Sequence, residues 1–274
     1  MLELRNLTKR YGSRVAVDQL NLTLRKGERF GLVGPNGAGK TTTISMLVGV
    51  LAPDAGEILF EGQPLRSESD PVKCRLGYVP QELALFEELT AQQHLELFGA
   101  LYGLDKQALS DRANDCLTLA GLSDRARQRV KTFSGGMKRR LNLAIALVHE
   151  PEILVLDEPS VGVDPQSRNA IFEALEHLAE AGMTLLYTTH YMEEVERLCE
   201  RIAIMDEGRI VAEGSLAELN ELLPLTPKRT ITLDADEATL RTLAASGLTW
   251  QETVATSPLE TVFLHLTGKT LRDQ

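Results

Sequence analysis

The densest cluster of residues suited to chemistry is Gly34-Pro35-Asn36-Gly37-Ala38-Gly39-Lys40-Thr41, a full match to the pattern of a phosphate-binding loop, or P-loop. Its glycines let the backbone turn tightly enough to aim successive N–H groups inward. A helix opening at Thr42 adds its partial positive charge to the same concavity. In that setting Lys40 reaches the β- and γ-phosphates of a nucleoside triphosphate, and Thr41 offers an oxygen to Mg2+. A second cluster closes the apolar run Ile153-Leu154-Val155-Leu156, which delivers the adjacent carboxylates Asp157 and Glu158. Two carboxylates after a buried strand are costly unless a cation or water network meets them. Asp157 therefore suits the Mg2+ shell, and Glu158 suits polarisation of an attacking water. His190 follows the strand-like Thr184–Tyr187 segment on the same side, which favours a polar role facing the γ-phosphate over a core histidine.

Other positions admit two readings from chemistry alone. Tyr11 and Val17 precede the loop where an adenine ring could stack on them, though Tyr11 also reads as an ordinary turn aromatic. Gln81 stands after Pro80 at a strand–loop junction, where it can reach Mg2+ or water or merely cap the loop. Ser134-Gly135-Gly136 opens a helix and can cradle a phosphate through its N–H groups. A capped helix start with a solvated basic face, formed by Lys138-Arg139-Arg140, explains it equally well. Asp164 precedes Pro165 and a helix, so N-capping alone accounts for it.

The elements that must position these residues follow from periodicity. Residues 1–30 alternate in the manner of antiparallel strands and lead into the short strand Phe30–Val33. Strong helix formers then dominate Ala91–Tyr102, Lys106–Ala120 and Met137–His149, a helical insertion spanning about residues 85–150. A helix is predicted over Gln166–Ala181 and a hairpin over Arg201–Met205 and Arg209–Ala212. Ser215 and Glu218 have capping-box spacing for a further helix. Pro224 and Pro227 bracket a linker, after which residues 225–274 read as a small βαβα unit: strand Arg229–Leu233, helix Glu237–Ala245, strand Thr249–Ala255 and helix Leu259–Leu266. The expected fold is thus α/β: a P-loop NTPase core with an antiparallel β subdomain and a helical insertion over 1–220, plus a small C-terminal α+β domain.

Composition narrows the function classes. The 274 residues are 43% hydrophobic and 25% charged, ordinary soluble-protein values. The net charge of −10 gives no global electrostatic reason to expect a nucleic-acid partner. Cys74, Cys116 and Cys199 are far apart among apolar neighbours, as expected for buried thiols in a reducing compartment. No apolar run reaches membrane-span length and the N-terminus lacks a signal-like core, so the expectation is a protein that sits against a membrane without crossing it.

Taken together, these stretches resemble the nucleotide-binding subunit of an ATP-binding cassette (ABC) transporter. Gly34–Thr41 resembles the first Walker motif and Ile153–Glu158 the second. Phe133-Ser134-Gly135-Gly136-Met137 is similar to the family signature, with Phe133 where leucine is usual. The resemblance implies that Tyr11 stacks on adenine, that Gln81 senses Mg2+ and couples to a membrane partner, and that Asp164 lies in a loop crossing a dimer interface. It makes His190 the switch histidine. It further implies two Mg-ATP sandwiched in a head-to-tail homodimer, with P-loop residues including Thr42 from one subunit and Ser134-Gly135-Gly136 from the other around each nucleotide. A separate transmembrane permease is implied as the partner and the cytoplasmic face of the membrane as the location. The Ser160–Asn169 and Thr188–Glu194 stretches, with the tail Leu259–Gly268, look like the ABC-2 exporter branch that serves drugs, polysaccharides and nodulation factors. The alternative from the same family is a soluble ABC ATPase acting as a mechanical or regulatory module on a non-membrane partner.

Overall fold

The computed structural model describes residues 1–65, 71–222 and 258–267. Two sheets organise the chain. Strands β1 (Leu2–Tyr11), β2 (Arg14–Leu24), β4 (Ala55–Phe60) and β5 (Gln63–Pro64) form an antiparallel sheet in the order β2-β1-β4-β5. The second sheet runs β10-β9-β3-β8-β7-β6. Its members are β3 (Arg29–Val33), β6 (Leu76–Val79), β7 (Ile153–Asp157), β8 (Thr184–Thr189), β9 (Arg201–Asp206) and β10 (Arg209–Gly214). All are parallel except β10, which pairs antiparallel with β9 as the predicted hairpin. Ile153–Asp157 and Thr184–Thr189 are buried at every position, as expected for parallel strands covered on both faces.

One face of this sheet packs against α1 (Lys40–Leu47) and the antiparallel sheet, through Phe30, Leu32, Ile44, Leu47, Leu2 and Leu4. The other face packs against α4 (Gly135–Leu147), α5 (Pro165–Glu180) and α6 (Met192–Leu198). The helical insertion consists of α2 (Ala91–Leu101), α3 (Lys106–Leu119) and α4, joined by short 3-10 turns at Ser123–Arg125 and Val130–Thr132. Local capping sets the helix starts. Thr90 forms a capping box with Gln93, and the Asp105 carboxylate accepts from the amides of Gln107 and Ala108. Helix α4 begins two residues earlier than the expected Met137 because Ser134 Oγ accepts the Met137 N–H, which draws both glycines into the first turn. β8 runs two residues past Tyr187, since Thr188 and Thr189 pair with Leu32 and Val33.

The Ser215–Glu218 capping box opens α7 (Leu216–Glu221) as predicted. The last described helix, α8 (Pro258–Thr267), matches the expected terminal helix and buries Leu259, Val262 and Phe263 in the main core. Its Leu259 amide donates to Glu196 on α6 at 2.8 Å. The expected strands Arg229–Leu233 and Thr249–Ala255 and helix Glu237–Ala245 lie outside the described residues. Among the described residues, no helix is long and apolar enough to cross a membrane.

Candidate functional site

The register of the parallel sheet makes the site. Val33 of β3 lies beside Thr189 of β8, and Thr188 lies beside Asp157 of β7. Three strands therefore end at one level, where open α/β sheets place their ligands. The loop from Gly34 to Gly39 leaves β3 here and enters α1. Gly34 presses against the Met205 carbonyl oxygen, and Gly39 presses against that of Ala16 with φ of 109°. A Cβ at either position would run into backbone, so only glycine closes the loop. Ala38 is buried. Its N–H donates to Pro35 O at 3.2 Å, and its own carbonyl accepts from Gly208.

Lys40, the first residue of α1, is 4% exposed. Its ammonium donates to Gly34 O at 2.8 Å and Pro35 O at 3.1 Å, and it lies 3.2 Å from Glu158 Oε1. Above the loop is a cleft of about 420 Å3, within the range of small-molecule sites. Asn36, Gly37, Lys40, Thr41 and Thr42 form its floor, and Tyr11, Arg14, Ala16, Gln81 and Glu158 form its walls. Val17 is fully buried in the core beside Gly39, while Arg14 and Ala16 of the same strand reach the cleft.

The acidic end of the cleft is a hydrogen-bonded assembly. Asp157 is fully buried, and its Oδ1 accepts from Thr188 Oγ1 at 2.8 Å and Thr41 Oγ1 at 3.2 Å. Its Oδ2 is buried without a partner. Burial raises its pKa above the ordinary aspartate value against the lowering effect of the two hydroxyls. An unpartnered carboxylate oxygen on a residue that also meets the Thr41 hydroxyl offers hard oxygen donors, and these fit Mg2+. Glu158 sits at φ 47°, a left-handed conformation uncommon for a non-glycine residue. Its Oε2 accepts from Gln81 Nε2 at 3.4 Å and faces His190 Nδ1 at 3.1 Å. Burial pushes the Glu158 carboxyl up, but the His190 hydrogen bond and the Lys40 charge outweigh it, so the group lies below the ordinary glutamate value and stays ionised. Lys40, Thr41, Gln81, Asp157, Glu158 and His190, drawn from widely separated parts of the chain, thus meet within a few ångströms.

Ser134, Gly135, Gly136 and Asp164 are not among the lining residues of that cleft. They form a second locus, where the N-terminus of α4 abuts that of α5. A Cβ on Gly136 would strike the Ser167 side chain and approach Asp164 Oδ2, whereas one on Gly135 would meet nothing within 4 Å. Asp164 caps α5 by accepting the Ser167 N–H at 2.9 Å, and that bond leads in holding its carboxyl below the usual aspartate value. One chain therefore presents a glycine-built loop beneath a cleft and, elsewhere, an open glycine-lined helix start.

Residues 17–161 match the ABC transporter family. The chain belongs to it. Membership in this ABC family carries binding of ATP with Mg2+ and ATP hydrolysis. The chain is 49% identical over 219 residues to the linearmycin resistance ATP-binding protein LnrL of Bacillus subtilis, a match covering 80% of this chain and 70% of LnrL. It is 39% identical to the Nod factor export ATP-binding protein I of Cupriavidus metallidurans, over 100% of this chain and 99% of that protein. Within the family it groups with these exporter-branch ATPases. A solved ATP-binding subunit of an ABC transporter superposes with a TM-score of 0.74 at 29% identity, covering 90% of this chain and 98% of that one. The dimeric bacterial cassette MJ0796 superposes with a TM-score of 0.72 at 27% identity, covering 78% and 98%.

Sequence reasoning missed four residues that the fold brings to the site. Arg14 lines the cleft, with a guanidinium N–H donating to Gly37 O at 3.3 Å. Thr188 orients Asp157 and accepts the Glu158 amide. Arg139, read as part of a solvated basic face, bonds the Gln81 carbonyl and, at 3.3 Å, that of Val161. Glu194 is a buried carboxylate behind His190. The Thr188-Thr189-His190 stretch carried a usable signal for Thr188, since hydroxyls at a buried strand end need partners. The others depend on which distant segments meet.

Proposed function

We propose that two copies of this chain close head to tail around two Mg-ATP. The Gly34–Thr41 loop of one copy and Ser134-Gly135-Gly136 of the other would enclose each nucleotide. The observation that supports this most is the open face of Gly135: an unobstructed helix N-terminus, away from the P-loop cleft of its own chain. Tyr11 stacks on the base, Asn36 to Thr42 cradle the phosphates, and Asp164 stands at the subunit boundary. Thr41, Asp157 and Gln81 hold Mg2+, which when bound supplies Lewis-acid stabilisation of charge on the phosphate oxygens. An arriving phosphate competes with Glu158 for the Lys40 ammonium, and the released carboxylate accepts a hydrogen bond from the attacking water. His190 orients that carboxylate through Nδ1 and leaves Nε2 for a phosphate oxygen.

The partner we propose is a separate transmembrane permease of the exporter branch, engaged at the cytoplasmic face. Supporting this is an apolar groove of about 300 Å3 between the sheet core and the helical insertion, lined by Tyr78, Pro80, Ala84, Phe98 and Tyr102 and bordered by the exposed Val50. It adjoins Gln81, so a helix seated there pushes on the loop that touches Glu158. The C-terminal residues 225–274 we assign to an accessory unit anchored through α8. Subunit mixing tests the composite site. K40A and G135A should each be inactive, but mixed they should recover up to about a quarter of the wild-type rate, because half of random pairs contain one intact site of two. Failure of the mixture, with both variants folded, would refute the head-to-tail arrangement.

A further inference from the structure

The Glu194 side chain is 1% exposed and is engaged by four donors. Its Oε1 accepts from Ser160 Oγ at 2.6 Å and pairs with the Arg168 guanidinium at 2.8 Å. Its Oε2 accepts from Thr189 Oγ1 at 2.6 Å and from Tyr187 OH at 3.0 Å. The donors come from three segments. Ser160 lies two residues after Glu158, Arg168 is in the first turn of α5, and Tyr187 and Thr189 lie at the end of the strand that precedes His190. Helix packing alone does not require this carboxylate, since Met192, Val195 and Leu198 already bury α6. A desolvated carboxylate is costly unless it is fully satisfied, and here every lone-pair direction is occupied.

The same cluster reaches the histidine by two routes. Thr189 Oγ1, which donates to Glu194, accepts the Tyr191 amide at 3.0 Å, so the residues on both sides of His190 are tied to one hydroxyl. Arg168 lies over the Tyr191 ring at 5.4 Å, and that ring leans against His190 with centroids 4.0 Å apart and planes tilted by 41°. Arg168 also donates its backbone N–H to Asp164 O. We infer that Glu194 is a positioning residue for hydrolysis: it pins the Glu158–Asp164 loop to the His190 loop, so that water-polarising carboxylate and histidine hold one geometry and a displacement at Asp164 is felt at both. This rests on the assignment of Glu158 and His190 as the hydrolytic pair. Glu194 is buried and fully engaged, so it acts through its four partners.

Steady-state ATPase of the full-length E194Q variant tests this, with thermal unfolding measured alongside. The isosteric amide keeps the volume but loses the charge facing Arg168 and reverses one pair of hydrogen bonds. We expect kcat to fall about tenfold or more, KM for Mg-ATP to stay within about threefold, and the unfolding midpoint to stay near wild type. In single turnover, E194Q added to H190A should slow it less than about twofold further, because both act on one geometry. If E194Q proves unfolded, S160A, which deletes a single donor, should show the same kcat-selective loss. Wild-type kcat in the folded variant, a rise in KM without loss of kcat, or full additivity with H190A would overturn the inference. Wild-type turnover by E158Q would instead overturn the underlying assignment, whatever E194Q does.

Discussion

Replacing Asp157 by asparagine separates stability from catalysis. Asp157 is fully buried, with Oδ1 accepting from Thr41 and Thr188 and Oδ2 orphaned. An amide retains the Oδ1 acceptor and removes a desolvated, half-satisfied anion. A buried unsatisfied polar group costs about 1–3 kcal/mol, more when charged. Because the amide N–H is itself unpartnered, we take the net gain for D157N without nucleotide as about 1–2 kcal/mol. At ~2–4 °C per kcal/mol for a chain of this size, the unfolding midpoint should rise by about 2–8 °C. Saturating Mg-ATP adds about 2.7 kcal/mol to wild type at a hundred times Kd, and D157N should lose the Mg2+-dependent part of that gain. Turnover should fall about a hundredfold or more. Thermal unfolding with EDTA, with ATP and EDTA, and with Mg-ATP reads the two stability changes, and a steady-state ATPase assay reads turnover. A D157N protein destabilised without nucleotide, yet shifted as much as wild type by Mg-ATP, would refute the metal-ligand reading and make Asp157 a structural residue.

Glu28 provides a test by pH. It is buried beneath Arg201, which donates to it at 2.7 and 2.9 Å, and it accepts the Arg25 amide at 2.8 Å. Burial raises its pKa, but Arg201 outweighs it and the folded value lies below 4.5. A lowered carboxylate pKa stabilises the fold above the unfolded pKa, and that contribution is lost as pH falls through the folded one. E28Q should therefore be less stable than wild type by about 1.5–3 kcal/mol at pH 7 in urea titrations, with the gap closing below about pH 4.5; a constant gap would contradict the pairing. Gly135 and Gly136 should respond oppositely to alanine. G136A should lower the unfolding midpoint because its Cβ strikes Ser167, whereas G135A should keep or slightly raise monomer stability while abolishing ATPase activity. Equal destabilisation by both would show that neither face is open.

Much of the site could be read before the fold because its signals are local. The P-loop is contiguous, Asp157-Glu158 and His190 each close an apolar run, and parallel strands of similar length must end together. What escaped depends on contacts between distant segments. The alternation of β2 did not reveal which face meets the P-loop, and the register irregularities against β1 between Leu4 and Arg10 shift it further, so Arg14 and Ala16 rather than Val17 line the cleft. Arg139 sits among basic neighbours that look solvated, and only the docking of α4 against the Gln81 loop shows it bonding the carbonyls of Pro80, Gln81 and Val161. Glu194 interrupts no visible pattern on α6, because the core beside it supplies hydroxyls in place of apolar contacts. The helical insertion was legible from helix formers and terminating glycines, but its groove required the fold.

The measurement that bears most directly on the central claim is the molar mass of E158Q by light scattering, with and without Mg-ATP. Only the carboxylate proposed to polarise water changes, so on that proposal nucleotide binding remains and hydrolysis stops. The account predicts a shift with Mg-ATP to twice the 30.2 kDa chain mass, abolished by adding G135A. An E158Q protein that binds Mg-ATP yet keeps one mass, or that hydrolyses at the wild-type rate, would contradict the account.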